Sequence, residues 1–394
     1  MLTNNVIRAA LSGHPCLSWL WLSLRKRGSW GLLVAWLLAA CTPSRLPDTA
    51  HDGAQLLSVE EISPSSTLCT IRDPWHQGAV LQRYLLVPRD DAQWDASIAD
   101  SIRQACGDCT LLRTPLQHMA VTTSCHAWLL SELGALDCVT AMCDTAYIRA
   151  HSVQTWMRST YPDGRPHIAD AGTATAPNAE VLLSATCDAV WVSPYENQHA
   201  ATLSQLQLPV IWCADYMEQT PLGRAEWMRF YGRLVGRAHQ ADSLFAAVTA
   251  RYDSLVATHP SGPRLMAELP YGATWYVPGG ASTAAQLYRD AGYRYAWRDD
   301  THAGSLALSR EAVLAQAQDC DVWLIRYSNA QHDMTLADLL SQDALFKQFR
   351  ATQTGQVWGC NTAVSDIFDV TPFRPDVLLS SLIAQDGRFY KLLK

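Results

Sequence analysis

Two segments far apart in the chain repeat one pattern, and that repeat limits the fold more than any other feature. Asn178-Ala179-Glu180-Val181-Leu182-Leu183 leads to Cys187-Asp188-Ala189-Val190-Trp191-Val192, and Ser309-Arg310-Glu311-Ala312-Val313-Leu314 leads to Asp319-Cys320-Asp321-Val322-Trp323-Leu324. Each copy opens on a residue suited to cap a helix, Asn178 or Ser309, with a glutamate at the second helical position. A short helix, an Asp-bearing turn and an apolar run containing a Trp follow in both, and such a run reads as a buried strand. Helix and buried strand in alternation imply a mostly parallel sheet. Two copies therefore predict two similar α/β lobes, each showing one glutamate at a helix N-terminus.

A chain of 394 residues is long enough for two domains with separate cores. Its formal charge of -7 argues against a nucleic-acid footprint. Fifteen Trp is a high count, and aromatic faces serve ligand stacking as well as packing.

Residues 1–40 read as an export signal and stand apart from the fold. Arg25-Lys26-Arg27 is basic, Trp30 to Leu38 is apolar but short for a membrane span, and Leu38-Ala39-Ala40-Cys41 matches a bacterial lipobox. Cys41 is thus the expected lipidation site, and residues 41–60 the expected flexible tether. Cys106-Gly107-Asp108-Cys109 lacks the second pair that zinc requires, and Cys138 with Cys143 is a poor substitute. It precedes Leu111-Leu112-Arg113-Thr114-Pro115, a loop and edge strand, rather than opening a helix. A local disulfide or small packed residues are the readings left.

Strands are expected at Leu68 to Ile71, Tyr84 to Val87, Met119 to Thr122, Val139 to Met142, Ala189 to Ser193 and Leu208 to Trp212. Ser124 is the expected cap of a helix from Cys125 to Leu133, with Gly134 as its stop. These make an N-terminal lobe over 61–219. Thr220-Pro221 then opens a run with apolar residues at Trp227, Tyr231, Leu234, Ala238, Ala241, Phe245, Val248, Tyr252 and Leu255. That spacing predicts a connecting helix over 220–257, about 55 Å long at 1.5 Å per residue. Gly232 and Gly236 are the points where it would bend or break. The C-terminal lobe, 258–394, is expected to hold strands at Leu265 to Leu269, Thr274 to Val277, Val322 to Tyr327 and Gln356 to Gly359. Its helices are expected from Ser282 to Asp290, Ala337 to Arg350 and Pro372 to Ala384.

At this point the residues carry a family likeness. Ile71-Arg72-Asp73-Pro74-Trp75, Tyr84-Leu85-Leu86-Val87-Pro88, the block from Asp215 to Trp227, Pro278-Gly279-Gly280-Ala281-Ser282 and Arg374-Pro375-Asp376-Val377-Leu378-Leu379 resemble the substrate-binding lipoproteins of ABC importers for ferric siderophores, haem and vitamin B12. The resemblance runs from about Leu68 to the C-terminus, and the Tyr216–Trp227 block is similar to the Bacteroidetes branch. It implies two α/β lobes joined by a long rigid helix, with ligand held between them and no resident cofactor. It also implies a monomer in the periplasm, lipid-anchored to the envelope, that delivers ligand to a permease dimer with its ATPase. In that family each lobe offers a glutamate to arginines of the permease, and the matching positions here are Glu180 and Glu311.

Candidate ligand residues lie in loops after the strands, where open α/β sheets bind ligands. They are Ser124, Tyr147, Tyr195, Tyr216, Trp275, Tyr276 and Arg326. The aromatics would face a corrin, a porphyrin or a catecholate, and Arg326 an anionic chelate or a propionate. His126 reads as a helix-face histidine rather than an iron ligand. One rival reading is a metal-dependent two-lobe enzyme, although HExxH, GxSxG, P-loop and GxGxxG motifs are lacking. Another is a surface lipoprotein that passes ligand to an outer-membrane transporter.

Overall fold

The computed structural model describes residues 53–63, 66–90, 100, 101, 104, 107–195, 208–256 and 262–394. The expected leader with Cys41, together with Cys106, Glu196 and Asn197, lies outside them.

The N-terminal lobe begins with a mixed sheet. Strands β1 (Leu57–Ser63), β2 (Ser66–Arg72), β3 (Val80–Pro88) and β4 (Thr110–Thr114) lie in that spatial order, antiparallel except for the parallel β3–β4 pair. The last residues of the expected tether are therefore strand. A parallel sheet follows, built from β5 (Met119–Val121), α1 (Ser124–Glu132), β6 (Val139–Met142), α2 (His151–Arg158) and β7 (Ala169–Asp170). A ribbon of β8 (Gly172–Thr173) and β9 (Ala176–Pro177) leads to α3 (Ala179–Ser184), β10 (Ala189–Val192) and β11 (Val210–Trp212). The strand order is β11-β10-β5-β6-β7, all parallel. Tyr84 joins the two sheets, its hydroxyl donating to Val210 O at 2.8 Å and accepting from Trp212 N at 2.9 Å.

The connector is not one helix. It runs as α4 (Pro221–Glu226), α5 (Met228–Leu234) and α6 (Ala238–Val256). The break falls at Gly236, whose φ of 69° is a left-handed conformation that suits glycine. At Gly232 an added Cβ would lie 2.4 Å from that of Ala241, so α5 and α6 pack closely after the turn. The apolar period survives this because it reports a buried face, and two helices packed on one core bury that face as well as one long helix would.

The C-terminal lobe opens with β12 (Arg264–Ala267), the hairpin β13 (Pro270–Tyr271) and β14 (Thr274–Pro278), then α7 (Thr283–Asp290) and β15 (Arg294–Tyr295). It continues through β16 (Ser305–Ser309), α8 (Arg310–Ala317), β17 (Val322–Tyr327), α9 (Leu336–Gln342), α10 (Arg350–Gln353) and β18 (Val357–Asn361). It closes with α11 (Ile367–Val370), α12 (Pro375–Ala384) and β19 (Lys391–Leu392). The main sheet has the order β15-β12-β17-β18-β19, parallel except for β19, and β13-β14-β16 form a smaller antiparallel sheet. The helix expected from Ala337 to Arg350 is interrupted, because Asp343 takes extended backbone and caps the 3₁₀ turn Ala344–Gln348 instead.

The sequence repeat is a repeat of topology. Strands β6-β5-β10-β11 of the first lobe match β15-β12-β17-β18 of the second in order and direction. Asn178 caps α3 through its side chain, Ser309 caps α8, and Trp191 and Trp323 are fully buried in the strands that follow. The lobes are not separate bodies. One buried apolar cluster runs from Ile71 and Trp191 through Tyr231 to Leu265, Phe373 and Tyr390. Asp369, on α11, accepts from the backbone N–H groups of Arg149 and Ala150 at 2.7 and 2.6 Å, so one lobe caps a helix start of the other. A shared core with a shared cap opposes hinge motion.

Candidate functional site

The carboxyl ends of both parallel sheets frame the junction between the lobes, the usual ligand position in open α/β folds. On the N-terminal side, β5 runs into α1 through Thr123, which takes the cap position expected of Ser124; Ser124 is the first helical residue and half-buried. The Thr123 hydroxyl lies 2.5 Å from His126 Nδ1, and His126 Nε2 lies 3.0 Å from Asp215 Oδ1. Asp215, in the 3₁₀ turn Ala214–Met217 after β11, also accepts from the Tyr231 hydroxyl at 2.8 Å and from Arg224 Nε at 3.1 Å. Asp215, His126 and Tyr231 are all at most 1% exposed. Burial by itself pushes the Asp215 carboxyl up, yet His126, Arg224 and Tyr231 together hold it below the usual carboxylate range. His126 is thus a core residue with two partners.

On the C-terminal side Glu268, just past β12, pairs with Arg326 of β17. Burial works against the charge of Arg326, but the Glu268 carboxylate outweighs it and raises the guanidinium's pKa. Its guanidinium carbon sits 5.6 Å from the Phe368 ring centroid, within cation–π range. Glu268 itself has φ 70°, and its backbone carbonyl accepts from both Trp323 Nε1 at 2.9 Å and Trp275 Nε1 at 3.2 Å.

Arg224 and Arg326 line the same cavity, a space of about 200 Å³ whose other walls include Pro221, Leu287, Tyr288, Ile367 and Phe368. Such a volume is below the roughly 300–1,000 Å³ of pockets that enclose a whole drug-sized ligand. It suits one arm or edge of something larger. Phe368, Tyr195, Tyr216, Tyr147 and Tyr276 are exposed aromatic side chains. Tyr216 donates its hydroxyl to Pro194 O, which brings it beside Tyr195, and Tyr147 ends a turn two residues before the Arg149–Asp369 contact.

Of the residues expected to touch ligand, Arg326 is in the cavity wall, and Tyr195 and Tyr216 are together on the N-terminal side. Trp275 requires correction. Its ring is fully buried against Trp323, Phe346 and Phe349, because strand alternation turns Trp275 inward and Tyr276 outward. Trp275 serves the site from behind, through the Glu268 carbonyl. Sequence reasoning overlooked Arg224, Tyr288 and Phe368. Arg224 left no signal of its own: it stands in the last turn of a short Pro-started helix, where the macrodipole favours a cation.

The block from Asp215 to Trp227 has a structural account beyond Arg224. Glu218 accepts from Gln55 N, Leu56 N and Trp227 Nε1, and Glu226 accepts from Ala54 N, which ties the entry strand to the connector. Glu180 and Glu311 lie elsewhere, exposed at the second positions of α3 and α8. Each helix leads back to the start of a parallel strand, so both glutamates sit at the carboxyl edge of their sheet.

The family model described as periplasmic binding protein matches residues 120–363. An uncharacterized lipoprotein of Methanocaldococcus jannaschii is 24% identical over 196 residues, 48% of this chain and 46% of that one; the chain thus spans about half the length of this curated relative. A chain of an ABC-type Fe3+-hydroxamate transport system from Saccharomonospora viridis superposes with a TM-score of 0.54 at 18% identity, covering 72% of this chain and 97% of that one. The periplasmic haem-binding protein HutB of Vibrio cholerae gives 0.52 at 15% identity, covering 68% and 98%. At these identities the structures establish the fold.

Proposed function

The chain belongs to the family of periplasmic binding proteins, and from that premise we propose that it is the solute receptor of an ABC importer for an iron chelate, haem or cobalamin. It would hold ligand between its lobes and deliver it to a permease. The observation that carries this reading is the convergence of Arg224, on the connector, and Arg326, on the C-terminal lobe, on one largely apolar cavity. Two guanidiniums in an apolar recess fit an anionic arm, such as a propionate or the charged rim of a ferric chelate. The exposed Phe368, Tyr195 and Tyr216 supply flat contact for the remainder. The two solved structures named above belong to an Fe3+-hydroxamate transport system and a haem-binding protein.

The test is titration of the purified protein with haemin, cyanocobalamin, a ferric hydroxamate and a ferric catecholate, read by native mass spectrometry and absorbance. One of the four is expected to bind at one per chain. Arg224→Ala and Arg326→Ala should each weaken it about 10- to 100-fold, the worth of one charge-assisted hydrogen bond. Binding of none, or full affinity in both variants, would refute the assignment.

Cys41 would carry the lipid that tethers the receptor to the envelope. Cys41→Ala should leave unprocessed precursor or release the protein from membranes, and lipid labelling at the normal level in that variant contradicts the anchor. Glu180 and Glu311, one per lobe and both at carboxyl edges, would meet basic side chains on the two halves of the permease dimer.

A further inference from the structure

Beside each of these glutamates stands one large apolar side chain that projects into solvent. Leu183 follows Glu180 by three residues, which places both on one face of α3, and Leu183 is 54% exposed. In the second lobe strand register makes the same arrangement. Tyr271 pairs with Thr274, and Thr274 pairs with Ser309, the cap of α8. Tyr271 is therefore two strand spacings, about 10 Å, from that cap, and Glu311 begins two residues beyond it. At 83% exposure Tyr271 is the most exposed large apolar side chain among the described residues.

Arg310 fixes this geometry. Its guanidinium donates to Gly272 O at the hairpin tip at 2.8 Å and pairs with Asp343, so the tip is tied to the start of α8. The charge of Arg310 is thus committed to Asp343, while neither Glu180 nor Glu311 has an ion pair among the described residues. Each lobe presents an exposed carboxylate without an ion pair among the described residues together with an exposed apolar group, and the lobes repeat one topology. The partner that fits must offer a basic side chain and an apolar recess twice.

We propose that Leu183 and Tyr271 are the apolar anchors of the permease-docking surface, each seated beside the basic group that meets Glu180 or Glu311. This rests on the docking reading given above and extends it. An interfacial ion pair exchanges water for a partner and sets orientation and approach more than affinity. Affinity comes chiefly from a few large side chains that lose water in the middle of the contact, and Tyr is among the residues most often found there. A hairpin tip already tied down by Arg310 has less freedom to lose on docking.

The experiment uses the full lipoprotein in its native host, with the photoreactive residue p-benzoylphenylalanine placed singly at Leu183, Tyr271 and Ala312. Ala312 is exposed and adjoins Glu311, so it probes docking without testing the anchors. The expected result is that all three positions cross-link one polytopic membrane protein, at extracytoplasmic segments mapped by peptide sequencing. The Leu183 and Tyr271 adducts should disappear in a Glu180→Lys/Glu311→Lys background. In detergent, Tyr271→Ala and Leu183→Ala should each lower affinity for that same membrane protein about tenfold or more, as hot-spot truncations do. Circular dichroism should be unchanged, since both side chains are exposed. Capture from Ala312 alone, or full affinity of both Ala variants, overturns the anchor assignment and leaves the docking reading in place. No adduct from any position overturns both. An adduct only with a second copy of this chain replaces the permease by a dimer interface and likewise overturns the proposal.

Discussion

In the N-terminal half Arg224 is held by a buried carboxylate, where Asp215 accepts from His126 and Tyr231 as well. In the C-terminal half Arg326 is held by Glu268, whose side-chain pair is 14% and 37% exposed and whose backbone, not its carboxylate, is braced by two indoles. The halves repeat one topology yet support the same kind of group by different means. The first sets its arginine through a polar network that is costly to leave unsatisfied. The second sets it through aromatic packing with one lateral ion pair. The difference predicts where each half is fragile: removal of a charge should damage the first more, and loss of core shape the second.

The largest expected effect is on stability. Asp215→Ala would leave His126, Tyr231 and the Arg224 guanidinium without their common acceptor in a buried site. Breaking a buried ionic contact from one side costs about 3–5 kcal/mol. Glu268→Ala removes the partner of a partly exposed arginine and should cost about 1 kcal/mol, because solvent replaces much of the interaction. Urea midpoints of the two variants, with tryptophan emission as the probe, measure this directly. Equal losses would show that the two halves carry their arginines in the same way, and the contrast would fall.

The sequence made one half of this contrast legible and concealed the other. The repeat, the caps Asn178, Ser282 and Ser309, and the strand Val322–Tyr327 could be read because each depends on residues close together in the chain. A bend or break at Gly232 or Gly236 was legible from the glycines, but not which of the two, since the packing of Gly232 against Ala241 decides that. Trp275 and Tyr276 are neighbours of similar composition, and their opposite fates follow from the pairing of β14 with β16, which no local pattern announces. The Asp215 network joins residues from four separate segments, so its members carried individual signals but no sign of belonging together. Phe368 was out of reach for the same reason: its exposure is set by Asp369 on the same short helix, which is spent in capping α2 of the other lobe.

A smaller effect sharpens the comparison at acid pH. Asp215 has a folded pKa below its ordinary value of 3.8, burial being outweighed by its three partners. A carboxyl with a depressed folded pKa binds its proton less readily in the native state than in the unfolded chain. It therefore contributes stability above the unfolded value and loses that contribution as pH falls through the folded one. The loss should begin below about pH 3.8 and deepen toward the lower folded pKa. Asp215→Asn has no carboxyl to titrate there, so its stability should fall less steeply over the same interval, although it begins from a lower level at neutral pH. The measurement is urea midpoint against pH from about pH 6 down to pH 2.5, for wild type and variant in parallel. The difference between the two curves removes the other carboxylates, which titrate in both proteins. A difference that narrows on acidification places the acid sensitivity of the junction in the N-terminal half. A constant difference would mean that Asp215 keeps the same proton affinity folded and unfolded, and its three hydrogen bonds would then have to be of equal worth to the neutral acid.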